Sequence, residues 1–128
     1  VLEYQYVRNI KAVKQVLTVS CKIEATPEQI VQIDETLQAF ADACEYINKT
    51  LEPNLTNEIA MQSVIYQDVR ARFGLSSQMA IHAIRRVSSN RKTAKQKGFT
   101  VEKFSPTSAT YDQRTFSFRE SDWSVAAL

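Results

Sequence analysis

The stretch Ser76–Lys103 reads SSQMAIHAIRRVSSNRKTAKQKGFTVEK. Met79, Ala80, Ala83, Ile84 and Val87 recur at helical spacing, so one side of a helix faces a core. Ser76 or Ser77 supplies an N-cap oxygen for an otherwise unpaired backbone N–H. From Arg85 onward, Arg85, Arg86, Arg91, Lys92, Lys95, Lys97 and Lys103 meet a single acid, Glu102. Arg91 and Lys95 continue the face that Ile84 and Val87 begin. Burying charge in a core face is costly. The sequence therefore predicts that the helix leaves the body after Val87 or ends near Ser88-Ser89-Asn90, with a positive arm projecting in both cases. An acidic polymer suits such an arm. The plainer alternative is a solvated charged face. The scarcity of acids weighs against it, because ordinary surface helices mix signs.

The whole chain agrees with one domain, or one domain plus an extension: 128 residues, 44% hydrophobic and 23% charged. The net charge of +2 conceals an asymmetry. Residues 24–58 carry acids with only Lys49 opposing them, whereas residues 70–103 carry bases with only Glu102 opposing them. No apolar run is long enough to span a bilayer, and no secretory signal is visible, so a cytoplasmic protein is expected. Cys21 and Cys44 sit in apolar periodic patterns and read as buried free thiols. No cysteine or histidine stands at zinc-ligand spacing, and neither metal nor cofactor is expected. The sequons at Asn48 and Asn54 are read as chance matches.

In chain order, residues 1–15 show no clean period and are set aside as an N-terminal extension, with Tyr4, Tyr6 and Val7 open to a short strand or a helical turn. Residues 16–128 are expected to form a single nucleic-acid-binding region. Val16–Ile23 alternates as a strand. Thr26-Pro27-Glu28-Gln29 then forms a capping box, which opens a helix striped by Ile30, Ile33, Leu37, Phe40, Ala41, Cys44 and Ile47. Pro53 forces a break. Thr56 is expected to cap a second helix, over 57–73, with Ile59, Met61, Ile65, Val69 and Phe73 apolar and Gly74 closing it. The helix of the opening stretch completes a lobe over 27–98. His82 flanks its stripe and reads as a surface or half-buried structural residue. Beyond Pro106 the period shortens to two, which predicts a hairpin within 110–128, with strands near 113–119 and 122–127 around the turn Glu120-Ser121-Asp122. Its aromatics, Tyr111, Phe116, Phe118 and Trp123, either fill a sheet core or stack on bases. The strand-like run reaching Leu128 suggests a piece of something longer.

The fold class is therefore α+β: a three-helix lobe between an N-terminal strand and a C-terminal hairpin. This order resembles the N-terminal part of OrfB/TnpB-type transposon proteins, RNA-guided DNA nucleases related to type V CRISPR effectors. The resemblance rests on Leu17–Lys22, Phe40–Cys44, Ile65–Leu75, Ala83–Val87 and above all Phe104–Phe118, which looks like the family's P-x-S-x-x-x-D-x-R-x-F-S stretch. It covers about residues 17–128. It implies a small β-barrel, of which these strands are a part, and a recognition lobe that grips a guide–target duplex. It also implies that the catalytic RuvC-like domain, with its metal-binding carboxylates, and the zinc ribbon lie outside this region. The chain alone is thus expected to be no enzyme.

On this reading Arg85, Arg86, Arg91, Lys92, Lys95 and Lys97 contact phosphates, with Arg70, Arg72, Lys103 and Arg114 in second rank. Asp112 and Arg114 are expected to pair with each other within the sheet. The partners are guide RNA, RNA–DNA heteroduplex or transposon-end DNA, together with the remaining nuclease domain of the parent protein. One alternative is a helix-turn-helix that binds duplex DNA, with Phe73-Gly74-Leu75-Ser76 as its turn. Another is a helical protein-interaction module that uses the acidic first helix.

Overall fold

A computed structural model describes residues 2–10, 13–112, 116–119 and 124–127. They are mostly helical, with strands towards both ends. Two compact units divide the chain, Val1–Val31 and Gln32–Leu128.

In the first unit, β1 (Leu2–Ile10) pairs antiparallel with β2 (Val13–Cys21). The register runs from Leu2 opposite Cys21 to Ile10 opposite Val13 and sets Tyr4 against Val19 and Tyr6 against Leu17. β2 thus begins at Val13, ahead of the alternation that starts at Val16. Residues 2–10, which show no clean period, are its partner strand. The capping box forms as expected: Thr26 N donates to Gln29 Oε1 at 2.9 Å, and Gln29 N donates to Thr26 Oγ1 at 3.3 Å. It opens α1 (Pro27–Thr50), which continues into the second unit.

The second unit adds α2 (Glu58–Phe73), α3 (Ser77–Lys97), and the antiparallel pair β3 (Phe116–Arg119) and β4 (Ser124–Ala127). Each sheet is two-stranded. Among the described residues neither forms a barrel. Asn57, not Thr56, caps α2, its Oδ1 accepting from Ala60 N at 3.0 Å. The Thr56 carbonyl instead accepts a 2.6 Å bond from Ser88 Oγ. Gly74 (φ 62°) ends α2 and Gly98 (φ 77°) ends α3, both in the left-handed region that a side chain disfavours. Ser76 caps α3.

The core lies between the three helices. Phe40, Cys44 and Ile47 of α1 meet Met61, Ile65 and Val69 of α2 and Met79, Ala83, Ile84 and Val87 of α3. Tyr46, Phe73, Phe104 and Tyr111 cover its margins. Three expected core positions are on the outside: Ile30 and Ile33 are 49% and 46% exposed, and Ile59 is 75% exposed. The stripe of α1 becomes a core face only from Phe40 onward, with Leu37 half-buried. Ile59 stands in the first turn of α2, two residues ahead of the buried Met61, and that offset turns it away from the core.

This division gives a direct test. Ile47→Ala should destabilise the protein by about 2–5 kcal/mol, the usual cost of a large-to-small change in a closed core. Ile59→Ala should stay within about 0.5 kcal/mol. Urea unfolding midpoints measured side by side would check the pair.

Candidate nucleic-acid interface

α3 neither ends near Ser88–Asn90 nor leaves the body after Val87, in contrast to both sequence expectations. It runs to Lys97 with Ser88, Arg91 and Ala94 all buried. A core face carries a cation here because every N–H of Arg91 has an acceptor. Nε donates to Asn48 Oδ1 at 2.8 Å. Nη1 donates to the Glu52 and Leu55 carbonyls, both at 2.8 Å. Nη2 donates to the Asn48 carbonyl at 2.8 Å and to the Leu51 carbonyl at 3.2 Å. These carbonyls belong to the last turn of α1 and the loop that follows, where the helix leaves C=O groups unpaired and its dipole favours positive charge. Burial pushes the Arg91 guanidinium below the usual arginine range, and the nearby Glu52 carboxylate opposes that shift. Arg91 therefore closes the lobe and is not a free phosphate contact.

Arg86 is also committed to the fold. Its guanidinium lies 4.6 Å from the centre of the Phe40 ring. It donates to the Ser108 carbonyl at 2.8 Å, to Ser108 Oγ at 3.1 Å and to Thr110 Oγ1 at 2.9 Å, which fastens the segment after α3 to the helices. Burial again lowers its pKa, and the Coulombic interaction with Cys44 works the other way. Cys44 is fully buried, a free thiol pushed up to about 12 mainly by burial, with Arg86 opposing. It packs rather than reacts. The burial of Cys21 lies outside the described features.

Arg85, Arg72 and Arg70 are exposed but occupied. Arg85 pairs with Glu58 at 3.0 Å. Arg72 lies 3.9 Å from Asp68 and 4.5 Å from the Tyr46 ring centre, while Tyr46 donates to the same Asp68. Arg70 donates to the Leu75 carbonyl at 3.5 Å, beside the Tyr66 ring. Arg114 lies outside the described residues, and so does its expected pairing with Asp112. Among the described residues, Asp112 has its Oδ2 3.3 Å from His82 Nε2. His82 is buried rather than superficial, and the approach does not have the geometry of a hydrogen bond. The hairpin aromatics divide similarly. Tyr111 is half-buried against the core, which raises its pKa, and Phe116 is half-buried, while Trp123 lies outside the described residues.

The far end of α3 stays uncommitted. Lys92, Lys95, Lys97 and Lys103 are exposed, and none has an ion-pair or hydrogen-bond partner among the described residues. Glu102 is the one acid in that run. From Ser77 to Ile84, by contrast, every residue of α3 is buried or half-buried. Among the described residues no group of three or more His, Cys, Asp or Glu could hold a metal ion, and no helix is long and apolar enough to cross a membrane. Comparison with protein-family models, curated proteins and solved structures finds no match.

Two outcomes follow from this geometry. Arg91→Lys should lower stability by about 3 kcal/mol, because a point charge with three donors cannot serve five acceptors, and each buried acceptor left unpaired costs about 1–3 kcal/mol before water re-enters. Lys95→Gln should change it by less than about 0.5 kcal/mol. Chemical denaturation checks both. The second outcome concerns pH. The Cys44 thiol is raised from 9.0 to about 12 on folding, so the unfolded chain loses its proton first. Stability should fall as pH rises through that window, by about 1.4 kcal/mol per unit from this group. The slope should be shallower by that amount in Cys44→Ala, measured by unfolding between those pH values.

Proposed function

We propose that this chain is a nucleic-acid-binding region, and that it acts as the N-terminal part of a transposon-encoded, RNA-guided DNA endonuclease of the OrfB/TnpB type. The observation that carries nucleic-acid binding is the set of four exposed ammonium groups at Lys92, Lys95, Lys97 and Lys103, none with a partner among the described residues. Ammonium groups held outside any internal ion pair are available to phosphates and release condensed counterions when they bind. Guide RNA or RNA–DNA heteroduplex is the partner class, met through its backbone and shape while base pairing reads sequence. On this reading each two-stranded ladder is one piece of a small β-barrel in the parent protein, and DNA cleavage belongs to a nuclease domain outside this chain. Arg85, Arg70 and Arg72 are second-rank contacts, each already engaged, and Arg86 and Arg91 position the lysine-bearing helix rather than touch nucleic acid. The family assignment rests on the sequence resemblance of Phe104–Phe118 and the stretches before it.

A helix-turn-helix reading is less well supported. It needs the first turns of α3 to reach base edges, and that segment offers no fully exposed side chain.

Binding to structured RNA and to duplex DNA across a salt series tests the proposal. Log K should fall with log salt, and changing all four lysines to Gln should flatten the slope by about 0.7–0.9 for each phosphate that the protein no longer neutralises. Arg85→Gln should have a smaller effect. Affinity that ignores salt, or that survives the fourfold change, would overturn it.

A further inference from the structure

Phe99 is the one aromatic among the large apolar side chains that the described residues leave exposed. It follows Gly98, the left-handed C′ residue of α3, and its N–H bonds the Ala94 carbonyl at 3.0 Å. In this kind of helix ending the hydrophobic residue after the glycine usually folds back onto the last turn. Here Ala94 is buried, yet Phe99 is 55% exposed. Its backbone is nevertheless held on both sides. Upstream it is tied to Ala94, and two residues downstream the Val101 carbonyl accepts a 3.0 Å bond from Asn48 Nδ2. Asn48 is the residue whose Oδ1 receives Arg91. Phe104 then packs against the core. Phe99 and Thr100 thus form a short exposed step between two anchors. In sequence the step is bracketed by Lys95 and Lys97 on one side and Lys103 on the other, all exposed and without partners among the described residues.

We infer that Phe99 is a stacking platform for an unpaired base of the nucleic acid whose phosphates the lysines take. The inference rests on the nucleic-acid reading above and narrows it. Lysines alone do not distinguish duplex from single strand, whereas an aromatic face needs a base face that no neighbouring base covers. The ligand class is accordingly a single-stranded segment or a loop. Stacking accepts any base, so the site selects for unpaired structure and not for sequence. The anchors hold the backbone that carries the ring, so little ordering cost remains for that backbone.

The test uses the full chain and four probes: a short oligouridylate, an abasic oligonucleotide of equal charge, a blunt RNA duplex, and vesicles of phosphatidylcholine and phosphatidylserine. Phe99→Ala should weaken oligouridylate binding about tenfold, the lower part of the range for one stacked base, and leave binding of the abasic strand and the blunt duplex unchanged. Phe99→Trp should retain the affinity, with its added fluorescence quenched by the oligouridylate and not by the abasic strand. Far-UV circular dichroism confirms that both variants fold. If wild type binds both strands in a salt-dependent way and Phe99→Ala binds them equally well, the stacking inference falls while the nucleic-acid reading stands. If wild type binds no nucleic acid at any salt, both fall. Vesicle binding that Phe99→Ala abolishes, with oligouridylate binding unchanged, would reassign the residue to a lipid surface and overturn the inference.

Discussion

The saturation of Arg91 holds the helical lobe together. α1 ends with carbonyls that have no helical partner, and the chain then turns through a loop containing Pro53, which has no N–H to offer. One guanidinium from α3 serves four of the carbonyls in this region and the Asn48 side chain together. Lysine could not do this, because its donors radiate from one point and do not form a planar fork. α3 stays packed as far as Ala94, well beyond its apolar stripe, because Arg91 gives that face something to bury against.

This constraint also sorts the surface. Arg91 and Arg86 are drawn inward, one to the end of α1 and the other to the 108–110 segment. Arg85, Arg70 and Arg72 are engaged with neighbours on the outside. The lysines take the exposed positions of the last turns of α3 and the segment beyond its end. The acidic run of residues 24–58 contributes Glu58 to Arg85 and Glu45 to Lys49, but nothing described to Lys92, Lys95, Lys97 or Lys103. Along α3 and the segment after it, arginine thus builds the lobe, while Lys92, Lys95, Lys97 and Lys103 have no partner among the described residues. That division follows from chemistry, since guanidinium is the less strongly hydrated cation and makes more directed bonds.

Much of this is legible in the sequence. The capping box at Thr26–Gln29, the glycine end of α2, and the stripe from Met79 to Val87 each carry a local signal that tertiary structure does not override. What is not legible is long-range. Periodicity cannot tell that Arg91 meets the Leu55 carbonyl, 36 residues earlier in the chain. The charge pattern therefore suggests a projecting arm where the structure has a packed helix. β1 gives little warning, because residues 1–15 show no clean period. The stripe of α1 promises burial for Ile30 and Ile33, because spacing reports which side of a helix is apolar but not how far along it a core extends. Phe99 carries no signal of its own in the sequence, since a lone aromatic after a glycine looks like an ordinary helix ending.

α1 crosses from one compact unit into the other, and its two halves are held by different forces. Every residue from Pro27 to Glu35 is exposed, so that stretch rests on its capping box and backbone bonds. From Phe40 to Ile47 the same helix is locked into the core. Short helical segments without packing are marginal in water. Amide hydrogen exchange along α1 should therefore be graded, rapid near Val31 and slow near Cys44, with protection rising where the core begins. A continuous helix would then open in sections, its first turns melting and re-forming while the lysine-bearing lobe stayed closed.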